Sequence, residues 1–108
     1  MTVQHPLTLA SPPTGEHFEF RRSFHTDGAF EFLWTLAPKK RGPGMHIHPT
    51  ETETFRVVSG TLRIWIAGVA RDFGPGECVA IPPGVPHRFL NPGDTPAVAL
   101  VSLDGPAM

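Results

Sequence analysis

Turn-forming residues cut this sequence into pieces too short for helices. Thirteen prolines and eleven glycines in 108 residues sit between short apolar runs and do not gather in one tail. Proline lacks the amide proton that a helix interior needs, and glycine gives up the most backbone entropy there. No run of ten residues keeps a helical period. The apolar runs instead alternate at period two, which turns one strand face to a core and the other to solvent. In the run from Phe30 to Ala37, the side chains of Phe30, Phe32, Trp34 and Leu36 share one face. From Glu16 to His25, Phe18, Phe20 and Arg22 oppose Glu19, Arg21 and Ser23. From Thr61 to Ala67, Leu62, Ile64 and Ile66 point inward, with Arg63 and Trp65 outward. Short alternating strands separated by Gly and Pro signals predict an all-β domain.

The chain length suits one domain with one modest core. Residues 1–15 read as an N-terminal arm or edge strand, and 16–108 as the single domain. The formal net charge of −1 offers no basic field for nucleic acid or an anionic membrane. Lys39, Lys40 and Arg41 read as a solvated loop. The single cysteine, Cys78, excludes an intrachain disulfide framework. It falls in a strand-like run and is expected to be a small buried hydrophobe. No segment has the length of a membrane-spanning helix, and the N-terminus lacks a charged-then-apolar leader pattern. The expectation is a soluble, cytoplasmic protein. Trp65 on an outer face leaves an apolar surface that a second copy of the chain would cover.

The chemistry concentrates in two stretches. Residues 42–60 read GPGMHIHPTETETFRVVSG. His46 and His48 are two apart, so in extended chain they point the same way. Glu53 opens the following strand and shares a face with Phe55 and Val57, whereas Glu51 lies in the loop and is expected to be solvated. Two imidazoles and a carboxylate on one concave face suit a divalent first-row metal. Further on, a stiff Pro-rich turn from Pro82 to Pro86 delivers His87, which shares a face with Phe89. If that strand lies beside the first stretch, the ligands become His46, His48, Glu53 and His87, and two of six octahedral positions stay open. Phe32, Trp34, Phe55 and Phe89 are the expected pocket walls. No other pocket carboxylate is evident, and the chain has no tyrosine. Proton transfer would therefore fall to Glu53, a ligand histidine or metal-bound water. Asn91 is expected to cap the Asn91-Pro-Gly-Asp turn through its side-chain amide. His5, His17 and His25 receive no role.

These stretches resemble the two cupin motifs. His46, His48, Glu53 and Gly60 have the spacing of the first, with Lys40 where its leading glycine usually stands. Gly76, Pro82, Gly84, His87 and Asn91 match the second, with fifteen residues between Gly60 and Gly76. The resemblance spans about half the chain. It implies a double-stranded β-helix, a jelly-roll cupin barrel, in which His46, His48, Glu53 and His87 bind one divalent transition metal: Fe, Mn, Zn, Ni, Co or Cu. It also implies a small-molecule partner and a homodimer. Within the family's chemistry, dioxygenase-type oxidation of a small metal-chelating organic molecule is favoured, with Glu53 as the catalytic group. The alternatives are a non-catalytic metal- or metabolite-binding barrel, and a Lewis-acid cyclase, lyase or isomerase.

Overall fold

The computed structural model describes residues 7–11, 13–24 and 29–104. Nine strands follow in order: β1 Leu7–Ser11, β2 Glu16–Phe24, β3 Ala29–Leu36, β4 Thr52–Ser59, β5 Leu62–Ile66, β6 Val69–Phe73, β7 Cys78–Ile81, β8 His87–Leu90 and β9 Ala97–Asp104. There is no helix among the described residues, hence none long and apolar enough to cross a membrane. The strands form a six-stranded sheet, in the order β1-β2-β3-β9-β4-β7, and a three-stranded sheet, β6-β5-β8. Every pairing is antiparallel. The all-β jelly-roll expectation holds.

Period-two burial builds the core between the sheets. Phe32, Trp34 and Leu36 of β3, Phe55 and Val57 of β4, and Ala99 and Val101 of β9 come from the large sheet. Leu62 and Ile64 of β5 and Phe89 of β8 come from the small one. Register fixes which residues meet. Trp34 lies opposite Ala99, and Ala99 opposite Val57. Phe32 lies opposite Val101, and Val101 opposite Phe55. Both rows face inward, so aromatic rings alternate with small side chains across the barrel wall.

The turns follow from residue chemistry. Ala67 and Gly68, the two residues between β5 and β6, both have positive φ, 50° and 84°. That is the two-residue hairpin geometry whose twist matches the flanking strands. Gly60 has φ 76°, and a Cβ there would collide with the Pro96 carbonyl oxygen. Only glycine lets these two backbones touch.

Two outer-face residues differ in their outcomes. Cys78 is exposed, contrary to the expectation of burial. It pairs with Arg56 on the outer face of β4, while the next pair, Val79 and Phe55, faces inward. Parity, not hydrophobicity, decides its side. Trp65 does face outward, but its register partner Arg88 lays a guanidinium 3.8 Å above the indole ring, so the chain itself covers it. The Asp27-Gly28 turn, His5 and His25 lie outside the described residues, as do the side chains of Phe20, Arg22 and Phe30.

Candidate metal centre

Backbone pairing brings the two sequence stretches together. His46 and His87 form an isolated antiparallel bridge. The His46 amide donates to the His87 carbonyl at 3.0 Å, and the His87 amide returns a bond of 3.1 Å to the His46 carbonyl. The Gly84 amide donates to the His48 carbonyl at 2.9 Å, tying the Pro-rich turn to the same segment. Glu53 sits on β4 between Leu103 of β9 and Ile81 of β7, which fixes its direction into the barrel. One ligand atom from each of His46, His48, Glu53 and His87 lies within 4.8 Å of the others. His87 and Glu53 are buried, and His46 and His48 are half-buried.

Outer partners set the tautomers. His46 Nδ1 is 2.9 Å from the Gly44 carbonyl oxygen, and His87 Nδ1 is 2.9 Å from that of Val85. A ring nitrogen facing a carbonyl carries the proton and donates, so Nε2 presents its lone pair to the centre. His48 Nδ1 has an oxygen too, Glu51 Oε1 at 3.6 Å. Glu51 is therefore not merely solvated, as the sequence suggests; it stands behind a histidine of the cluster.

The inner side of the cluster calls for a cation or a proton. His87 Nε2 is 3.0 Å from Glu53 Oε1. With Nδ1–H given to Val85, these two atoms are both acceptors. His48 Nε2 lies 3.3 Å from the same oxygen, yet it is buried without a hydrogen bond. Burial raises the Glu53 carboxyl above its ordinary value, although His48 and His46 pull it down. Burial also lowers His87, against the bond to Val85. Both shifts favour neutral groups, so in the metal-free protein a proton on Glu53 would satisfy its contact with His87. A divalent ion satisfies the same lone pairs, and also that of His48, without that proton. The donor set of three imidazoles and one carboxylate fits such an ion.

The cluster opens onto a cavity of about 270 Å³, small for a ligand site. Phe32, Trp34, Phe55 and Phe89 all line it, with His46, His48 and Glu53; His87 is not among the lining residues, and reaches the cluster through its 3.0 Å contact with Glu53. The Trp34 and Phe89 ring centres are 5.1 Å apart, and Phe89 lies 5.9 Å from the His46 ring. Glu16 also lines the cavity, and the Trp34 indole N–H donates to its Oε2 at 2.9 Å. This overturns the expectation that Glu53 is the only pocket carboxylate. The signal was present in parity, since Glu16 shares its β2 face with Phe18.

Known proteins are similar to this chain in sequence and fold. A probable oxidoreductase, patJ, of Aspergillus clavatus is 37% identical over 100 residues, covering 85% of this chain and 31% of that protein. Auxin-binding protein ABP19b of Prunus persica is 39% identical over 85 residues, covering 68% of this chain and 39% of that protein. The chain thus spans about a third of the length of these curated relatives. A structure of oxalate oxidase superposes with a TM-score of 0.74 at 28% identity, over 86% of this chain and 52% of that one. The Cupin_2 domain of an XRE family transcriptional regulator from Enterobacter cloacae shares the fold at 22% identity, with a TM-score of 0.76 over 85% of this chain and 98% of that one. Residues 32–103 match the family model of the cupin domain, Cupin_2, and they contain all four cluster residues; the chain belongs to the cupin family.

Proposed function

We propose that this protein is a metal-dependent enzyme performing dioxygenase-type oxidation of a small organic molecule that chelates its metal. The observation that carries the reading is the convergence of four donor atoms within 4.8 Å beside an aromatic cavity, with His48 Nε2 buried and unpartnered. A first-row ion bound there supplies Lewis acidity and, if redox-active, electron transfer to dioxygen. The remaining work belongs to the chain. The carbonyls of Gly44 and Val85 hold His46 and His87 in one tautomer. The walls formed by Phe32, Trp34, Phe55 and Phe89 exclude water and orient a flat substrate. Glu53, a metal ligand in this reading, is also the side chain able to take up a proton beside the substrate when it detaches from the ion. Likeness to a probable oxidoreductase and to oxalate oxidase supports the choice of oxidation. A second reading, a binding barrel without turnover, is favoured by the likeness to an auxin-binding protein.

Elemental mass spectrometry on protein purified without chelators tests the proposal. About one equivalent of iron, manganese, nickel or copper is expected, with oxygen uptake on adding diketones, catechols or 2-oxo acids. His87→Ala and Glu53→Ala should lose the ion, whereas Glu51→Ala should weaken it only about tenfold, as an outer partner does. Failure to take up any metal on titration ends the catalytic reading. Bound metal and saturable ligand binding without turnover would establish the second reading.

A further inference from the structure

The cavity has two polar ends. One is the histidine–Glu53 cluster. The other is Glu16, the remaining ionisable side chain among those lining the cavity. Strand register separates them. Glu53 lies opposite Leu103 of β9, and Glu16 lies opposite Leu36, itself opposite Ala97. Ala97 and Leu103 are six positions apart on β9, but the side chains reach back towards each other: Trp34, whose indole binds Glu16, is 5.1 Å from Phe89, and Phe89 is 5.9 Å from the His46 ring. The two carboxylates therefore enter one cavity from opposite ends of the sheet, with aromatic side chains between them.

Glu16 is held for this position. Its Oε2 accepts the Trp34 indole proton, while Oε1 accepts no hydrogen bond from the described residues. The Gly42 loop packs over the pair: a Cβ at Gly42 would stand 3.3 Å from the Trp34 ring and 3.7 Å from Glu16 Cδ. A carboxylate beside an apolar cavity gains most from a donor, a hydroxyl or an ammonium. A second carboxylate at the same place would meet like charge.

We infer that Glu16 determines specificity: it accepts a hydrogen bond from a hydroxyl or ammonium group on the end of the substrate remote from the chelating group. The substrates are then hydroxy- or amino-substituted chelating acids, and dicarboxylates that would place their second charge at Glu16 are rejected. This rests on the chelating-substrate reading above.

The test uses protein loaded with one equivalent of Zn²⁺, so that binding is read without turnover. Three compounds differing only at carbon 5 are titrated calorimetrically: 2-oxopentanoate, 5-hydroxy-2-oxopentanoate and 2-oxoglutarate. The wild type should bind the hydroxy compound about tenfold more tightly than the methyl one, the size of a charge-assisted hydrogen bond. It should bind 2-oxoglutarate at least tenfold more weakly than the hydroxy compound. Glu16→Gln removes the charge with little change in shape. It should keep its full zinc content and bind 2-oxoglutarate about tenfold better than the wild type does. An unchanged order of the three compounds in Glu16→Gln, or equal binding of all three by the wild type, overturns the inference while leaving the chelation reading intact. If none binds the zinc-loaded protein, the chelation reading fails and takes the inference with it.

Discussion

Replacing Asn91 by alanine should destabilise the barrel without touching the metal cluster. Asn91 is fully buried, and its side chain makes three hydrogen bonds. Nδ2 donates to the Leu36 carbonyl at 3.0 Å and to that of Thr95 at 2.8 Å. Oδ1 accepts the Gly93 amide proton at 2.9 Å. The side chain thus caps its own turn and also fastens it to the end of β3. Each bond contributes about 1 kcal/mol net, and buried groups left without partners cost more than that. Truncation should therefore cost about 3 to 4 kcal/mol. At roughly 5 °C per kcal/mol for a domain near this size, the melting temperature should fall by roughly 15 to 20 °C. Asn91→Asp should fare no better, because it keeps the acceptor for Gly93 but faces two carbonyls with a carboxylate. The assay is thermal and urea unfolding, with metal content measured on the variants at low temperature. A loss below 1 kcal/mol would refute the reasoning. So would a stably folded variant that no longer binds metal.

The stabilisation conferred by metal should grow with pH. In the metal-free protein, Glu53 lies above its ordinary 4.5, so its contribution is full below that value and is lost as pH rises through the raised one. His87 lies below its ordinary 6.5, so its contribution is full above 6.5 and is lost as pH falls through the lowered value. A metal needs the ionised carboxylate and neutral imidazoles. The rise in melting temperature on adding Zn²⁺ should therefore be larger at pH 7.5 than at pH 5.5, and an equal rise at both would contradict a proton on Glu53 in the metal-free protein. At the turns, Gly60→Ala should cost at least twice as much as Gly68→Ala by urea midpoint. Both have positive φ, and strain alone costs about 1 to 2 kcal/mol. Only at Gly60 would the new Cβ meet backbone, with Ala97 Cα at 2.9 Å, whereas nothing lies within 4 Å at Gly68.

The strands were legible because period two and turn residues are local signals. The alternation from Phe32 to Leu36 predicts the buried face that the structure shows, and the spacing from His46 to Glu53 predicts the meeting of those side chains. What stayed hidden depends on long-range register. Trp34 pairs with Ala99, 65 residues away by number, and no local pattern specifies that partner. Hydrophobicity alone argues for burying Cys78, but parity with exposed Ala80 turns it outward. Glu16, a charged residue at the start of a strand, resembles a solvated edge in the sequence. Its parity with Phe18 pointed inward, and the indole proton that makes this position tolerable comes from Trp34, eighteen residues later.

That register also separates the chain's stability from its chemistry. The row formed by Glu16, Leu36 and Ala97 crosses the large sheet at the end away from Glu53. Asn91 binds the Leu36 carbonyl there, and Gly60 packs its backbone against Ala97. The closing residues of the two sequence motifs thus fasten one end of the barrel, while their histidines and Glu53 occupy the other. The ligand end gathers buried titratable groups that disfavour the metal-free fold; the fastened end has satisfied hydrogen bonds and close backbone contact. Substitutions at Asn91 and Gly60 should therefore lower stability with the metal retained, and those at His87 and Glu53 should remove the metal from a barrel that still folds. A slip of β2 by one residue would carry Glu16 out of the cavity and Phe18 with it. The residue inferred to select the substrate is thus held by the same pairing that closes the core.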